Sequence, residues 1–276
     1  MADTPEIREA LRSRTLLEGT DRAGARAMLK AIGLTDEDLA KPLIGIANTW
    51  IEIEPCNFHL RLDAAKVKEG VRRAGGTPLE FNTVSISDGI TMGTEGMKAS
   101  LVSREVIADS IELVARGNFF DGIITLASCD KTMPGTIMSL IRMDVPGIMI
   151  YGGSIAPGNF RGKDVTLQEV YEYIGAFTAG KITAEDLKEM EDAACPGPGA
   201  CGGQFTANTM GMVAEFMGIC PMGLADIPAM DEAKDRGSLD TGALIMHMIE
   251  HDLRPSKLIT RTALNNAVAA IAASGG

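Results

Sequence analysis

Gly122-Ile-Ile-Thr-Leu-Ala-Ser-Cys-Asp-Lys131 is the stretch whose reading decides the fold. Its first six residues carry no charge and are mostly apolar or β-branched, the pattern of a strand covered on both faces. The run then meets a soft thiol, a hard carboxylate and an amine in succession, Cys129-Asp130-Lys131, and a helical pattern follows over 133–143. Two other apolar segments end alike: Leu43-Ile-Gly-Ile-Ala47 runs toward Pro55-Cys56-Asn57, and Leu79-Glu-Phe-Asn-Thr-Val84 runs to Ser87-Asp88-Gly89. In an open α/β sheet the carboxyl ends of parallel strands form the ligand crevice. Three loops of this kind would gather the thiols and carboxylates in one place.

Working outward, strands are expected over 43–48, 79–84, 121–127 and 147–151, and helices over 58–74 and 97–117. Leu60, Ala64, Val67 and Val71 keep one stripe of the first helix toward a sheet, and Gly75-Gly76 ends it. Leu101, Val106, Ile107, Ile111 and Val114 do the same for the second. Alternation of strand and helix implies parallel pairing with right-handed crossovers, hence an α/β protein of three layers, α/β/α, with a mostly parallel central sheet. Toward the amino end, Thr4-Pro5-Glu6 has the form of an N-cap followed by Pro at the first helical position. It predicts a helix to Gly19 and a second from Thr20 to Gly33. This helical lead-in, residues 1–40, is expected to pack outside the main domain, 41–276, or against a partner subunit.

Beyond Gly152 the pattern predicts a Gly- and Pro-rich loop to about residue 163, a helix over 166–179, and a charged helix opened by Thr183-Ala-Glu-Asp186. Cys195-Pro-Gly-Pro-Gly-Ala-Cys201-Gly-Gly203 cannot form a regular element and reads as a shaped loop. Helices from Thr206 or Asn208 to Met217 and from Ser256 to Ser274 complete the reading. The ending Ser274-Gly-Gly276 has no polar tail and suggests a fragment.

The chain has 276 residues, 45% of them hydrophobic, enough for a sizeable core. Its 37 acidic against 26 basic residues leave a net charge of -11, which argues against a nucleic-acid partner. The start Met-Ala-Asp-Thr-Pro-Glu lacks a signal-like pattern, and no run approaches the roughly 18 apolar residues of a membrane span. No membrane partner is expected, and the location expected is the cytoplasm, or an organelle interior after removal of a transit peptide. Sixteen methionines are read as core filler.

The five cysteines read as free thiols or metal ligands rather than a disulfide framework. Cys56, Cys129 and Cys201 are too far apart in the chain for a Cys-x-x-Cys motif, and each could be a small buried hydrophobe. Their loop settings, beside Pro and Asn, beside two charges, and among glycines, favour ligation. Three thiolates would suit an iron-sulfur cluster or zinc with one metal position open. Cys195 and Cys220 keep the plainer structural reading. Asp88 and Asp130 are oxygen donors of the kind Mg²⁺ takes, or else residues of Asx turns before helices. Lys131 is either a surface cation or a crevice amine open to covalent reaction. His59 is expected to be structural. Neither a Gly-x-Gly-x-x-Gly after a strand nor a P-loop ending occurs where a nucleotide site needs it.

Taken together, Pro55-Cys-Asn-Phe-His59, Phe81-Asn-Thr-Val-Ser-Ile-Ser-Asp-Gly-Ile90, Ser103-Arg-Glu-Val-Ile-Ala-Asp-Ser110, Ser128-Cys-Asp-Lys-Thr-Met-Pro-Gly135 and Gly199-Ala-Cys-Gly-Gly-Gln-Phe-Thr-Ala-Asn-Thr-Met210 resemble the dihydroxy-acid dehydratase family, part of a wider group that includes sugar-acid dehydratases. The resemblance implies that Cys56, Cys129 and Cys201 hold an iron-sulfur cluster, while Asp88, Asp130 and a carbamylated Lys131 help bind Mg²⁺. Some relatives with a four-iron cluster lack the Pro-Cys-Asn cysteine, so its presence favours [2Fe-2S], with [4Fe-4S] the alternative. The implied reaction dehydrates a small 2,3-dihydroxy carboxylate to a 2-oxo acid in branched-chain amino-acid biosynthesis, in a homodimer. The rival expectations are a sugar-acid (aldonate) dehydratase and a non-catalytic metal-binding or assembly domain. In the family a second, mostly β domain supplies a serine base and another magnesium ligand. Nothing in these residues matches that domain, so the chain is expected to be the amino-terminal part, with little turnover alone.

Overall fold

The computed structural model describes residues 11–276, so the opening of the lead-in at Thr4 lies outside the described residues. The described part of the first expected helix is one short turn, Arg14–Leu17, closed before Gly19, whose φ of 95° no side-chain-bearing residue takes easily. Helix α1 (Ala23–Ala31) follows, and a turn at Asp36–Ala40 is opened by a Thr35–Asp38 capping box.

The main unit alternates β1 (Leu43–Asn48), α2 (Leu60–Arg73), β2 (Thr77–Asn82), α3 (Gly96–Gly117), β3 (Gly122–Ala127), α4 (Thr132–Met143) and β4 (Gly147–Tyr151). The strands form one parallel sheet in the order β2-β1-β3-β4. Every residue of β1, β3 and β4 is buried, whereas β2, at the edge, alternates. Edge position explains why β2 starts at Thr77 and includes Pro78, earlier than the sequence suggested: Pro cannot donate to a ladder but is tolerated on an edge strand. At its other end the strand stops at Asn82, and Thr83 N donates to Asn48 O at 3.0 Å as the chain turns toward Ser87.

A hairpin, β5 (Gly158–Phe160) with β6 (Lys163–Val165), occupies the segment expected to be loop. Arg161 and Gly162 both take positive φ, 53° and 83°, the backbone of a two-residue hairpin turn. Helices α5 (Leu167–Thr178) and α6 (Ala184–Ala194), each opened by a capping box, bury Phe160, Val165, Met190 and Ala194 together as a small satellite core. Helix α7 (Thr206–Phe216) packs beside α4, and α8 (Glu232–Glu250) lies beside α2. The expected final helix is broken: a turn at Pro255–Leu258 precedes α9 (Arg261–Ser274), because Thr260 Oγ1 accepts from Ala263 N at 3.1 Å and caps a new start.

Helix α8 had no apolar stripe to announce it, since its buried side includes Lys234, Ser238, Thr241 and Gly242. Small residues are the reason it fits. A Cβ on Gly70 would collide with Leu239 O, and one on Gly242 with Val67 O, so α2 and α8 meet backbone to backbone. These two helices cover one face of the sheet; α3 and α4, packed on each other, cover the other. The lead-in docks on the amino-terminal edge of the sheet. Asp121 accepts from Ser13 N at 2.9 Å and Leu43 N at 2.8 Å, and Leu17 and Leu39 enter the main core. Met133, Met149 and Met246 fill that core, but Met28, Met222 and Met230 stand exposed. Among the described residues no helix is long and apolar enough to cross a membrane.

Candidate metal centre

Each loop leaving the carboxyl edge of the sheet is tied to its neighbour. Asn57 donates through Nδ2 to Thr49 O at 2.9 Å, after β1, and to Ser85 Oγ at 2.8 Å, after β2. Thr49 Oγ1 donates to Leu126 O in β3 at 2.9 Å. The Cys201 loop joins them by backbone: Gly199 N donates to Pro55 O at 2.8 Å and Ala200 N to Gly153 O at 2.9 Å. Gly199 takes φ 136° and sits so close to Ile155 that a side chain has no room. Asn208, in the first turn of α7, donates to Cys201 O at 3.0 Å and accepts from the Tyr151 hydroxyl at the end of β4. Cys129 is fixed by its own amide, which donates to Thr132 Oγ1 at 3.0 Å as α4 begins.

These ties bring the three thiols together. The Cys56 thiol lies close enough to those of Cys129 and Cys201 for both to perturb it. Those two neighbours, then burial, hold its thiol far above the ordinary value, while the neighbouring Cys56 draws Cys201 down. Cys56 and Cys129 are buried although they stand on loops.

The oxygen wall adjoins the sulfur wall. Ser87 Oγ accepts from Ile90 N at 3.2 Å and caps a short turn whose first residue is Asp88. Cys129 Sγ lies 3.6 Å from Asp88 Oδ1. Cys56, Cys129, Cys201, Asp88 and Asp130 line one cavity of about 380 Å³, whose remaining wall includes Met92, Leu167, Tyr171 and Phe205. Lys131 does not line it; its ammonium is paired with the Asp130 carboxylate at the margin. Cys220 is buried and away from this cavity, as its structural reading expects, but Cys195 is exposed, because it follows the end of α6 into the Pro- and Gly-rich loop.

Several polar groups behind the site escaped the sequence. Glu54, fully buried, accepts from Ser85 Oγ, and burial pushes its carboxyl up to about 7; its Oε1 has no partner. A glutamate in a loop looks like a solvated residue, so nothing in the pattern marked it. His59 is structural as expected: burial lowers its pKa, and its Nε2 meets Gly152 O at 2.9 Å. Under it, burial raises Asp63 to about 7 and lowers Lys234 to about 8. Lys234 donates to Tyr151 O at 3.0 Å and Leu224 O at 2.7 Å, pinning the end of β4.

The donor set fits metal groups. Three convergent sulfurs with no disulfide among them suit a thiophilic cluster, and carboxylates at the same cavity suit a hard divalent ion. Fold and crevice together define an α/β protein with a mixed sulfur and oxygen donor pocket at the carboxyl edge of its sheet.

Residues 41–276 match the family model described as dihydroxy-acid/6-phosphogluconate dehydratase N-terminal, and the chain belongs to that family. It is 65% identical over 265 residues to a dihydroxy-acid dehydratase of Roseiflexus sp. (strain RS-1), covering 96% of this chain and 47% of that protein. Against the dihydroxy-acid dehydratase of Koribacter versatilis the identity is 64%, covering 96% and 46%. A protein of that name from Thermus thermophilus is 52% identical, covering 96% and 48%. The chain thus spans about half the length of these curated relatives.

Proposed function

We propose that this chain is the cluster- and magnesium-holding part of a dihydroxy-acid dehydratase, a hydro-lyase that turns a 2,3-dihydroxy carboxylate such as 2,3-dihydroxyisovalerate or 2,3-dihydroxy-3-methylvalerate into its 2-oxo acid. The observation that carries the reading is the convergence of Cys56, Cys129 and Cys201 with Asp88 and Asp130 on one cavity. In this reading the three cysteines hold a [2Fe-2S] cluster, and Asp88, Asp130 and a carbamylated Lys131 hold Mg²⁺. When bound, these groups supply Lewis acidity toward the C3 hydroxyl and toward the carboxylate and C2 hydroxyl.

The residues of the chain do the rest of the positioning. Met92, Leu167, Tyr171 and Phe205 offer an apolar wall for a short branched tail and help exclude water. Loss of water takes the hydroxyl from C3 and the proton from C2, and the enol so formed tautomerises to the 2-oxo acid. The base for the C2 proton, a serine by the family resemblance, belongs to the half of the relatives' length that this chain does not span. The same reading puts the enzyme in the cytoplasm or an organelle interior as a homodimer.

The test is anaerobic purification of the whole protein with its cluster, assayed on 2,3-dihydroxyisovalerate and on a pentonate. Turnover of the first with Mg²⁺, and weak turnover of the second, is the expected result. Preference for the pentonate would replace the branched-chain reading, and no turnover of either would remove the catalytic one. The 276-residue chain assayed alone is expected to show little or no dehydration, and robust activity would contradict the assignment of the base elsewhere.

A further inference from the structure

The last turn of α8 and the residue that caps it carry His247, Glu250 and His251, a cluster that the dehydratase reading does not use. Their ligand atoms all lie within 4.8 Å of one another, and the two imidazole rings are 4.0 Å apart by centroid. We propose that these three side chains form a second, independent site for a divalent transition-metal ion of the zinc class.

Spacing is the first argument. Residues three and four apart share one face of a helix, so both imidazoles and the carboxylate project from the same patch. Tautomer is the second. His251 Nδ1 is 2.9 Å from His247 O, and a carbonyl can only accept, so Nδ1 carries the proton and the Nε2 lone pair is free. A ligating histidine usually has its other nitrogen held this way, by a backbone carbonyl or carboxylate. The helix end is the third, since the unpaired carbonyls of a carboxyl terminus favour a cation.

Chemistry selects the ion. Two imidazoles and one carboxylate suit Zn²⁺, Ni²⁺ or Cu²⁺, whereas Mg²⁺ and Ca²⁺ prefer all-oxygen sites. The neighbouring Asp252 is engaged by Arg254 and Lys257 and does not compete for it. Location separates this patch from the cysteines. A Cβ on Gly122, the first residue of β3, would touch Ile245 and Ile249, so the end of α8 lies at the amino edge of the sheet. The cysteines lie at the carboxyl edge, a strand of six residues away, roughly 20 Å.

The chain has only three histidines, which makes the test direct. Zn²⁺ is titrated into the cluster-loaded protein while the imidazole resonances are followed by NMR, so that zinc taken up by thiols does not confuse the readout. The expected result is that His247 and His251 move together and saturate, His59 stays, and Mg²⁺ at equal concentration moves neither. His247→Gln and His251→Gln, both at exposed positions, should each weaken the zinc-dependent shift of the remaining ring by about tenfold or more. Rings that do not move by millimolar Zn²⁺, or variants that bind as the parent does, overturn the proposal.

Discussion

Asp63 is the clearest case of a single side chain whose environment sets a measurable property. Burial raises its carboxyl from 3.8 to about 7, so the folded state keeps a proton that the unfolded state gives up across that interval. The folded protein then binds more protons, and stability must fall as pH rises from about 4 to about 7. The shift corresponds to at most about 4 kcal/mol. Asp63→Asn is expected to flatten this fall in urea unfolding at stepped pH, leaving the share of Glu54, which also titrates near 7. An unchanged slope would mean that Asp63 is not buried as described. Lys234 works in the other direction: its value is lowered to about 8, so its contribution lets stability rise with pH between about 8 and 10.5.

Helix α8 shows why packing and not pattern decides some elements. Gly70 and Gly242 allow α2 and α8 to touch through their backbones, so Gly242→Val should cost at least the roughly 1–3 kcal/mol of an overpacked core, read as a lowered urea midpoint. A variant as stable as the parent would mean the two helices are not held this close. By contrast, Thr183→Ala removes an exposed capping box and should cost only about 1 kcal/mol. The strands and the helices beside them were legible because fully apolar runs and 3.6-residue stripes leave a strong local signal. The runs at 43–48 and 147–151 coincide with β1 and β4, and that at 121–127 with β3 but for one residue. Helix α8 was not legible, because the first part of its buried face is Lys234, Ser238, Thr241 and Gly242, and apolar side chains, Ile245, Met246 and Met248, enter it only in the last turns. Nor was the hairpin at 158–165, whose turn depends on Arg161 taking a positive φ.

The whole molecule joins at the crevice what the chain keeps far apart. Cys56, Cys129, Asp88 and Asp130 could be anticipated there, since strand ends of a parallel sheet share one edge. Cys201 follows a shaped loop rather than a strand of that sheet, and the bonds of Gly199 to Pro55 and of Ala200 to Gly153, with Asn208 donating to Cys201 O, explain how it arrives. The buried supports, Glu54, Asp63 and Lys234, were invisible because burial of a charged residue has no local sequence signature. The most direct test of a shared centre is the iron and sulfide content and visible spectrum of anaerobically prepared protein, compared with Cys56→Ser, Cys129→Ser and Cys201→Ser, and with Cys195→Ser and Cys220→Ser as controls. The account predicts a coloured, iron- and sulfide-bearing protein that loses its spectrum with each of the first three and keeps it with the last two. A parent that stays colourless and iron-free after competent reconstitution, or an unchanged spectrum in the Cys56, Cys129 and Cys201 variants, would contradict it.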